Sequence, residues 1–339
     1  MSNKISIGVL GAGTWGVALA RMLSNAGHSV TVWSAIESEI DILSSTRVHP
    51  NMPDTALPIQ IEYTKDIKSA CADKEILLFA VPSPFVRATA KRVAPYALSG
   101  QIIVDVAKGI EEETLYTMTE IIAEEINNPE VEVVALSGPT HAEEVIKDLP
   151  TTIVSASKSM RAAEYVQSIF NTECMRVYTN DDILGVELCG ATKNVIALAC
   201  GMAVGLGCGD NARAAIITRG IAEISRLGVA MGCKEQTFGG LAGIGDLIVT
   251  ATSMHSRNFK CGILLGKGVA AEDAVKQIGM VVEGLNALPA VLRLSQRYQV
   301  QMPIIEAVGA VVSGKISASD VVQLLMSRDL KAENMVKYS

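Results

Sequence analysis

No block dense in lysine and arginine occurs anywhere in the 339 residues, and charged residues amount to only 19%. With 36 acidic against 29 basic side chains the net charge is −7. The electrostatic footprint of a nucleic-acid binder is missing, and nucleic acid is excluded as a partner. An anionic small ligand is not excluded, because a few local cations can dominate a pocket. The four histidines stand far apart without HExxH spacing, and the seven cysteines (71, 174, 189, 200, 208, 233 and 261) form no CxxC pair. No metal site is expected, and thiols odd in number and scattered read as the reduced, mostly buried ones of a cytoplasmic protein. The amino-terminal MSNKISIGVL reaches glycine before an apolar core of signal-peptide length can form. There is no internal repeat and no low-complexity segment.

Apolar residues, at 49%, are abundant enough for a globular chain, and 339 residues suffice for two domains with separate cores. One run stands out. Residues 188–209, LCGATKNVIALACGMAVGLGCG, hold a single charge, Lys193. A run of that length is a candidate membrane span. No second run accompanies it, however, and its flanks carry Glu187 and Asp210 rather than a basic cluster. On a helix, Lys193 has Cys189, Gly190, Ile196 and Ala197 as same-face neighbours, a mostly small surface that a backbone or ligand can approach. The expectation is a helix packed inside the protein, with one ammonium facing a cleft and no membrane span.

The first half alternates strand and helix. KISIGVL (4–10) runs into GAGTWG, where Gly11, Gly13 and Gly16 make G-x-G-x-x-G. WGVALARMLSNAG then has helical periodicity ending at Gly27, and SVTVW (29–33) is a second strand. Glycines placed between strand and helix allow a tight turn and let a pyrophosphate reach the helix N-terminus. Further strands are expected at 75–82, 101–109, 132–139 and 151–157, a pattern of a doubly wound, mostly parallel sheet. Polar punctuation follows three of them: Pro82-Ser83, Lys108-Gly109 and Ser137-Gly138-Pro139-Thr140. Taken alone, Lys108 reads as a solvated loop lysine. After the second strand stand Ser34 and Ala35, with Glu37 late and Arg47 well downstream. Neither an acid for the ribose nor an arginine for a 2′-phosphate is in place, so NAD or NADP is expected with weak discrimination.

From about residue 181 the pattern becomes helical. The expected division is a Rossmann-type sheet domain over 1–180 and an all-α domain over 181–339, with Asp210 as a helix N-cap. GLAGIGDLIVTATS sets Asp246 and Thr250 on one helix face, in isolation equally a cap with a back-bonded threonine. Ser256-Arg257-Asn258 offers three consecutive donors suited to phosphate or carboxylate, although such loops are often merely solvated. VVEG (281–284) places Glu283 in an apolar turn.

Together GAGTWGVALA, AVPS (80–83), AKGIE (107–111), SGPTHAEEV (137–145), residues 185–220, LAGIGDLIVTATS–SRN and VVEG resemble the bacterial-type NAD(P)-dependent sn-glycerol-3-phosphate dehydrogenases. The resemblance runs in order over nearly the whole chain. Departures are Thr14 and Thr140 where serine is common, Cys189 for glycine, His141 for an aromatic, and the loss of a polar residue at Ala35. It implies Lys193 as catalytic acid/base, and Lys108, Gly138, Thr140, Asp246, Ser256, Arg257 and Asn258 around the glycerol phosphate. It implies Thr14, Trp15, Lys108, Ala142, Arg257, Val281 and Glu283 against the dinucleotide, beside the glycines 11, 13 and 16. The reaction implied is interconversion of dihydroxyacetone phosphate and sn-glycerol 3-phosphate, feeding glycerophospholipid synthesis, and a homodimer is a family-level expectation.

The chemistry agrees. Hydride reduction of a ketone places negative charge on oxygen, and an ammonium on a rigid helix can both stabilise it and deliver a proton. Lys193, Lys108, Asp246 and Thr250 are therefore the candidate catalytic group. A dinucleotide sensor without turnover would need the sheet but not Lys193, Asp246 and Arg257 together. A dehydrogenase of another phosphorylated 2-hydroxy compound is the closer rival.

Overall fold

A computed structural model describes residues 4–327. The part of the expected helical domain beyond 327 lies outside the described residues. Ten strands are present among the described residues: β1 (Ser6–Leu10), β2 (Ser29–Trp33), β3 (Val48–His49), β4 (Met52–Ala56), β5 (Glu62–Thr64), β6 (Ile76–Phe79), β7 (Ile102–Asp105), β8 (Glu132–Ser137), β9 (Thr151–Ala156) and β10 (Met175–Asn180). Eight of them form one sheet in the order β10-β9-β8-β7-β6-β1-β2-β5, while β3 and β4 make a separate antiparallel pair. All pairings in the large sheet are parallel except β8 with β9.

The sheet is buried on both faces, which explains its continuous apolar strands. In β6, Ile76 and Leu78 enter one core while Leu77 and Phe79 enter the other, the period of two that strand geometry imposes. The chain leaves β1 for β2 on one side, then crosses to β6 on the other, so the strand order reverses at β1. Register places Trp33, Leu10, Phe79, Asp105 and Ala135 in one row across β2, β1, β6, β7 and β8. Whatever follows these residues emerges at a single edge, beyond the carboxyl ends, where open α/β sheets bind ligands.

Three expected strands stop early. β6 ends at Phe79, β7 at Asp105 and β8 at Ser137, because the residues beyond them serve as the turns of that edge. β5, β10 and the β3–β4 pair were not anticipated. β5 has three residues, and β10 (MRVYTN) is an edge strand with a polar outer face, so neither shows a strong apolar pattern.

After Asn180 no strand occurs among the described residues. The architecture is a Rossmann-type sheet followed by a helical half. The helix Ile183–Gly205 is the axis of that half, with 20 of its 23 residues buried. It is long and apolar enough to cross a membrane, with a mean hydropathy of 1.5, yet 94% of its apolar window lies inside the fold. Helix Arg257–Gly266 packs so closely on it that a Cβ on Gly201 would stand 2.2 Å from the Phe259 carbonyl oxygen. This contact sets where the 256–258 segment begins. Helix Asp210–Ala230 starts at Asp210 itself, and its N-cap is Gly209. The cap expected at Asp210 is thus displaced by one residue, the carboxylate sitting in the first turn, where the helix dipole still favours it.

Candidate active site

At the sheet edge the glycine loop closes over the neighbouring strand. Gly11 has φ +126°, and a Cβ there would meet the Ala80 carbonyl oxygen at 2.6 Å. A Cβ on Gly16 would lie 2.2 Å from the Gly11 oxygen, whereas one on Gly13 would meet nothing within 4 Å. Gly11 and Gly16 therefore serve packing, and Gly13 opens onto a cleft. The helix Thr14–Asn25 that follows has no side-chain cap and no acid in its first turn, so its free N–H groups suit an anion. These features fit the pyrophosphate of a dinucleotide.

The cleft, about 960 Å³, is lined from both halves of the chain. Gly11, Gly13, Thr14 and Trp15 come from the first loop, Lys108, Thr140 and Ala142 from later strand ends. The helical half contributes Lys193, Asp246, Thr250, Ser256, Arg257, Asn258, Val281 and Glu283. Two anticipated contacts do not line it: Gly16 sits behind the glycine loop, and Gly138 offers its carbonyl to Lys108 from the rear.

Lys193 projects from the long helix toward helix Asp246–Thr252, which a π-helical turn, Leu241–Gly245, precedes. Its Nζ donates to Asp246 Oδ1 at 2.7 Å and to Thr250 Oγ1 at 2.5 Å. Lys108 Nζ takes the other carboxylate oxygen, Oδ2, at 2.7 Å, and also donates to the Gly138 carbonyl at 3.0 Å and Thr140 Oγ1 at 3.4 Å. Thr250 is indeed back-bonded, to the Asp246 carbonyl at 2.7 Å, and still receives the ammonium. Asp246 is 1% exposed and Lys193 5%, so two cations share one buried anion.

Burial pushes Lys193 well below the usual lysine range and Lys108 adds repulsion, while Asp246 holds the proton on. For Asp246 burial acts upward, but Lys108 and Lys193 outweigh it, and its carboxyl ends below the usual value. With its pKa brought down to about 7, Lys193 can hold or release its proton near neutral pH in a water-poor wall.

Around it, Ser256 caps its helix through the Phe259 N–H at 3.2 Å, and Arg257 Nη1 donates to the Val281 carbonyl at 3.0 Å. Asn258 accepts the Gly284 N–H at 2.8 Å and donates to Asn194 Oδ1 at 2.9 Å. Glu283 accepts the Ser83 N–H at 3.0 Å and its hydroxyl, joining the two halves across the cleft.

Two family models match the chain: the NAD-dependent glycerol-3-phosphate dehydrogenase N-terminus over residues 6–163 and its C-terminus over 182–323. The chain belongs to this family. It is 61% identical to glycerol-3-phosphate dehydrogenase (NAD(P)+) 2 of Lactobacillus delbrueckii subsp. bulgaricus, over 96% of this chain and 98% of that protein. Identity to the glycerol-3-phosphate dehydrogenase (NAD(P)+) of Agathobacter rectalis is 51%, covering 97% of both. The crystal structure of the Coxiella burnetii glycerol-3-phosphate dehydrogenase superposes with a TM-score of 0.91 at 35% identity, covering 96% of this chain and 99% of that one.

Several residues in or beside the cleft escaped the sequence reading. Asn194 follows Lys193 directly, and a second polar side chain in so apolar a run was its signal. Ser83 gave only a turn. Glu39, from helix Glu37–Thr46, reaches back to accept the Ser34 hydroxyl at 2.6 Å, a return that spacing does not announce.

Proposed function

We propose that this dehydrogenase reduces dihydroxyacetone phosphate to sn-glycerol 3-phosphate and runs the reverse reaction, with the side chains of the Lys193–Asp246–Lys108 cluster at the reacting carbonyl. The observation that carries this reading is the buried carboxylate shared at 2.7 Å by two ammonium groups on the wall of a glycine-loop cleft. NAD(P)H, when bound, supplies the hydride. Lys193 holds the proton that the new hydroxyl needs, and its charge steadies the oxygen as negative charge builds there. Asp246 orients Lys193, and Thr250 accepts a second of its N–H bonds. Lys108, tied to Gly138 and Thr140, adds positive potential. Ser256, Arg257 and Asn258 bind the phosphate, whose charge and geometry suit a guanidinium with hydroxyl and amide donors. Thr14, Trp15, Ala142, Val281 and Glu283 line the dinucleotide.

The division of labour follows the chain, with a dinucleotide domain over 1–180 and a substrate domain from 181. The same reading carries a cytoplasmic location and a homodimer, the latter checked by light scattering. The unpaired cysteines support the former: burial pushes Cys71 and Cys261 up to about 11 and Cys200 and Cys233 up to about 12, which keeps them inert thiols. The test of function is NADH oxidation with dihydroxyacetone phosphate against dihydroxyacetone. The phosphorylated ketone should react far faster; equal rates would remove the phosphate site from the mechanism.

A further inference from the structure

We propose that Glu39 and Ser34 together read the adenosine ribose and set the cleft to favour NADH over NADPH. The inference rests on the dinucleotide reading above and adds the residue that ranks the two cofactors. Ser34 follows the last residue of β2, and its hydroxyl accepts the Ile36 N–H at 3.1 Å while donating to Glu39 Oε2 at 2.6 Å. That pair of bonds holds the Glu39 carboxylate back against the end of β2, where both side chains line the cleft. Glu39 Oε1 has no partner among the described residues. A carboxylate at this edge of the sheet suits the two ribose hydroxyls, which are donors that it can accept.

A 2′-phosphate would meet the same carboxylate as a second anion. Glu37 stands in the same first helical turn but is paired with Lys65 at 3.4 Å, so Glu39 is the acid of that turn that faces the cleft. Three cations on the elements packed around this helix are committed elsewhere. Arg47 Nη1 donates to the Ile61 carbonyl at 2.7 Å, and its guanidinium lies 4.9 Å from the Tyr63 ring centre. Lys65 pairs with Asp41 at 2.8 Å and Glu37 at 3.4 Å, and Arg92 lies 4.7 Å from the Trp33 ring centre. None of the three lines the cleft. His49 does, but burial lowers its pKa against the opposing pull of Glu39, so it stays neutral near pH 7. Ala35 contributes no polar group.

The test is equilibrium binding without substrate, following nucleotide fluorescence for wild type, Glu39→Gln and Ser34→Ala. Wild type should bind NADH at least about tenfold more tightly than NADPH, the scale of one hydrogen bond to a charged group. Glu39→Gln keeps the shape and removes the charge. It should raise the Kd for NADH and lower that for NADPH, bringing the ratio to within about threefold. Ser34→Ala should weaken NADH binding in the same direction by freeing the carboxylate. Equal wild-type affinities, or a ratio that Glu39→Gln leaves unmoved, would overturn the assignment while leaving the dinucleotide site intact. Failure of the wild type to bind either nucleotide would overturn the dinucleotide reading itself.

Discussion

Lys193 and Asp246 meet at 2.7 Å from two different helices, 53 positions apart, and both are almost wholly buried. A buried ion pair of this kind is a poor source of stability, because desolvation consumes much of the Coulombic gain. Here the carboxylate also holds Lys108, so while Lys193 keeps its proton the cluster has one cation more than its own neutralisation requires. That surplus suits an oxygen that becomes negative during the reaction.

Replacing Lys193 by Met keeps the length of the stem and removes the charge and the proton. General acid catalysis contributes about 10²–10⁴ in rate, and electrostatic stabilisation of the oxyanion about 10²–10³ more. Lys193→Met should lose several powers of ten in kcat while the Kd for NADH stays within a few-fold of wild type. A kcat within tenfold of wild type would make Lys193 a structural lysine. If this variant does not fold, Lys193→Gln carries the same comparison.

Ketone reduction needs the Lys193 ammonium, so its rate should fall as pH rises through the Lys193 pKa. Burial places that fall below the usual lysine range, and Asp246 resists it. Asp246→Asn removes the charge that holds the proton and should move the alkaline limb of the kcat profile to lower pH. An unshifted limb would show that another group controls the rate.

Arg257→Met should act mainly on KM for dihydroxyacetone phosphate, since a phosphate contact exists in both the ground and transition states. A charge-assisted hydrogen bond accounts for about tenfold to a hundredfold. The variant also releases the Val281 carbonyl, so a smaller loss of NADH affinity should accompany it. Steady-state kinetics with an unchanged KM would remove Arg257 from the phosphate site.

Glu187 ties the two halves together, accepting from Thr119 N and Thr117 Oγ1, both at 2.9 Å, and from Thr119 Oγ1. Burial raises its pKa from 4.5 to about 7, although the bonds from Thr119 and Thr117 oppose this. Asp105 is raised too, first by burial and then by the charge of Glu187. Between pH 4.5 and about 7 the unfolded chain ionises at Glu187 before the folded one does. Stability from this group is therefore complete below 4.5 and lost as pH rises through 7, by about 3 kcal/mol. Glu187→Gln should flatten the pH dependence of the unfolding free energy in that window, measured by urea denaturation. An unchanged slope would mean that Glu187 is ionised throughout.

The glycine loop, the alternation of strand and helix and the apolar run around Lys193 could all be read directly. Each depends on neighbours within one turn or one strand, where backbone geometry and burial impose a short period. Family resemblance then brought Asp246, Arg257 and Glu283 into one argument, although their own local patterns were equally those of a cap, a solvated loop and a turn. Their meeting required the fold. Lys108 and Asp246 are 138 positions apart, and Ser83 and Glu283 are 200 apart, so no local pattern relates them. Glu39 shows the same limit over five residues. Its sequence position points to a helix start, and only the hydrogen bond to Ser34 turns its carboxylate back to the end of β2. The short strand β5 and the edge strand β10 likewise depend on the neighbours they pair with, since their own residues bury too little to announce them. Periodicity is a property of the chain, whereas charge pairing and edge pairing are decided by which distant surfaces the packed cores bring within hydrogen-bond range.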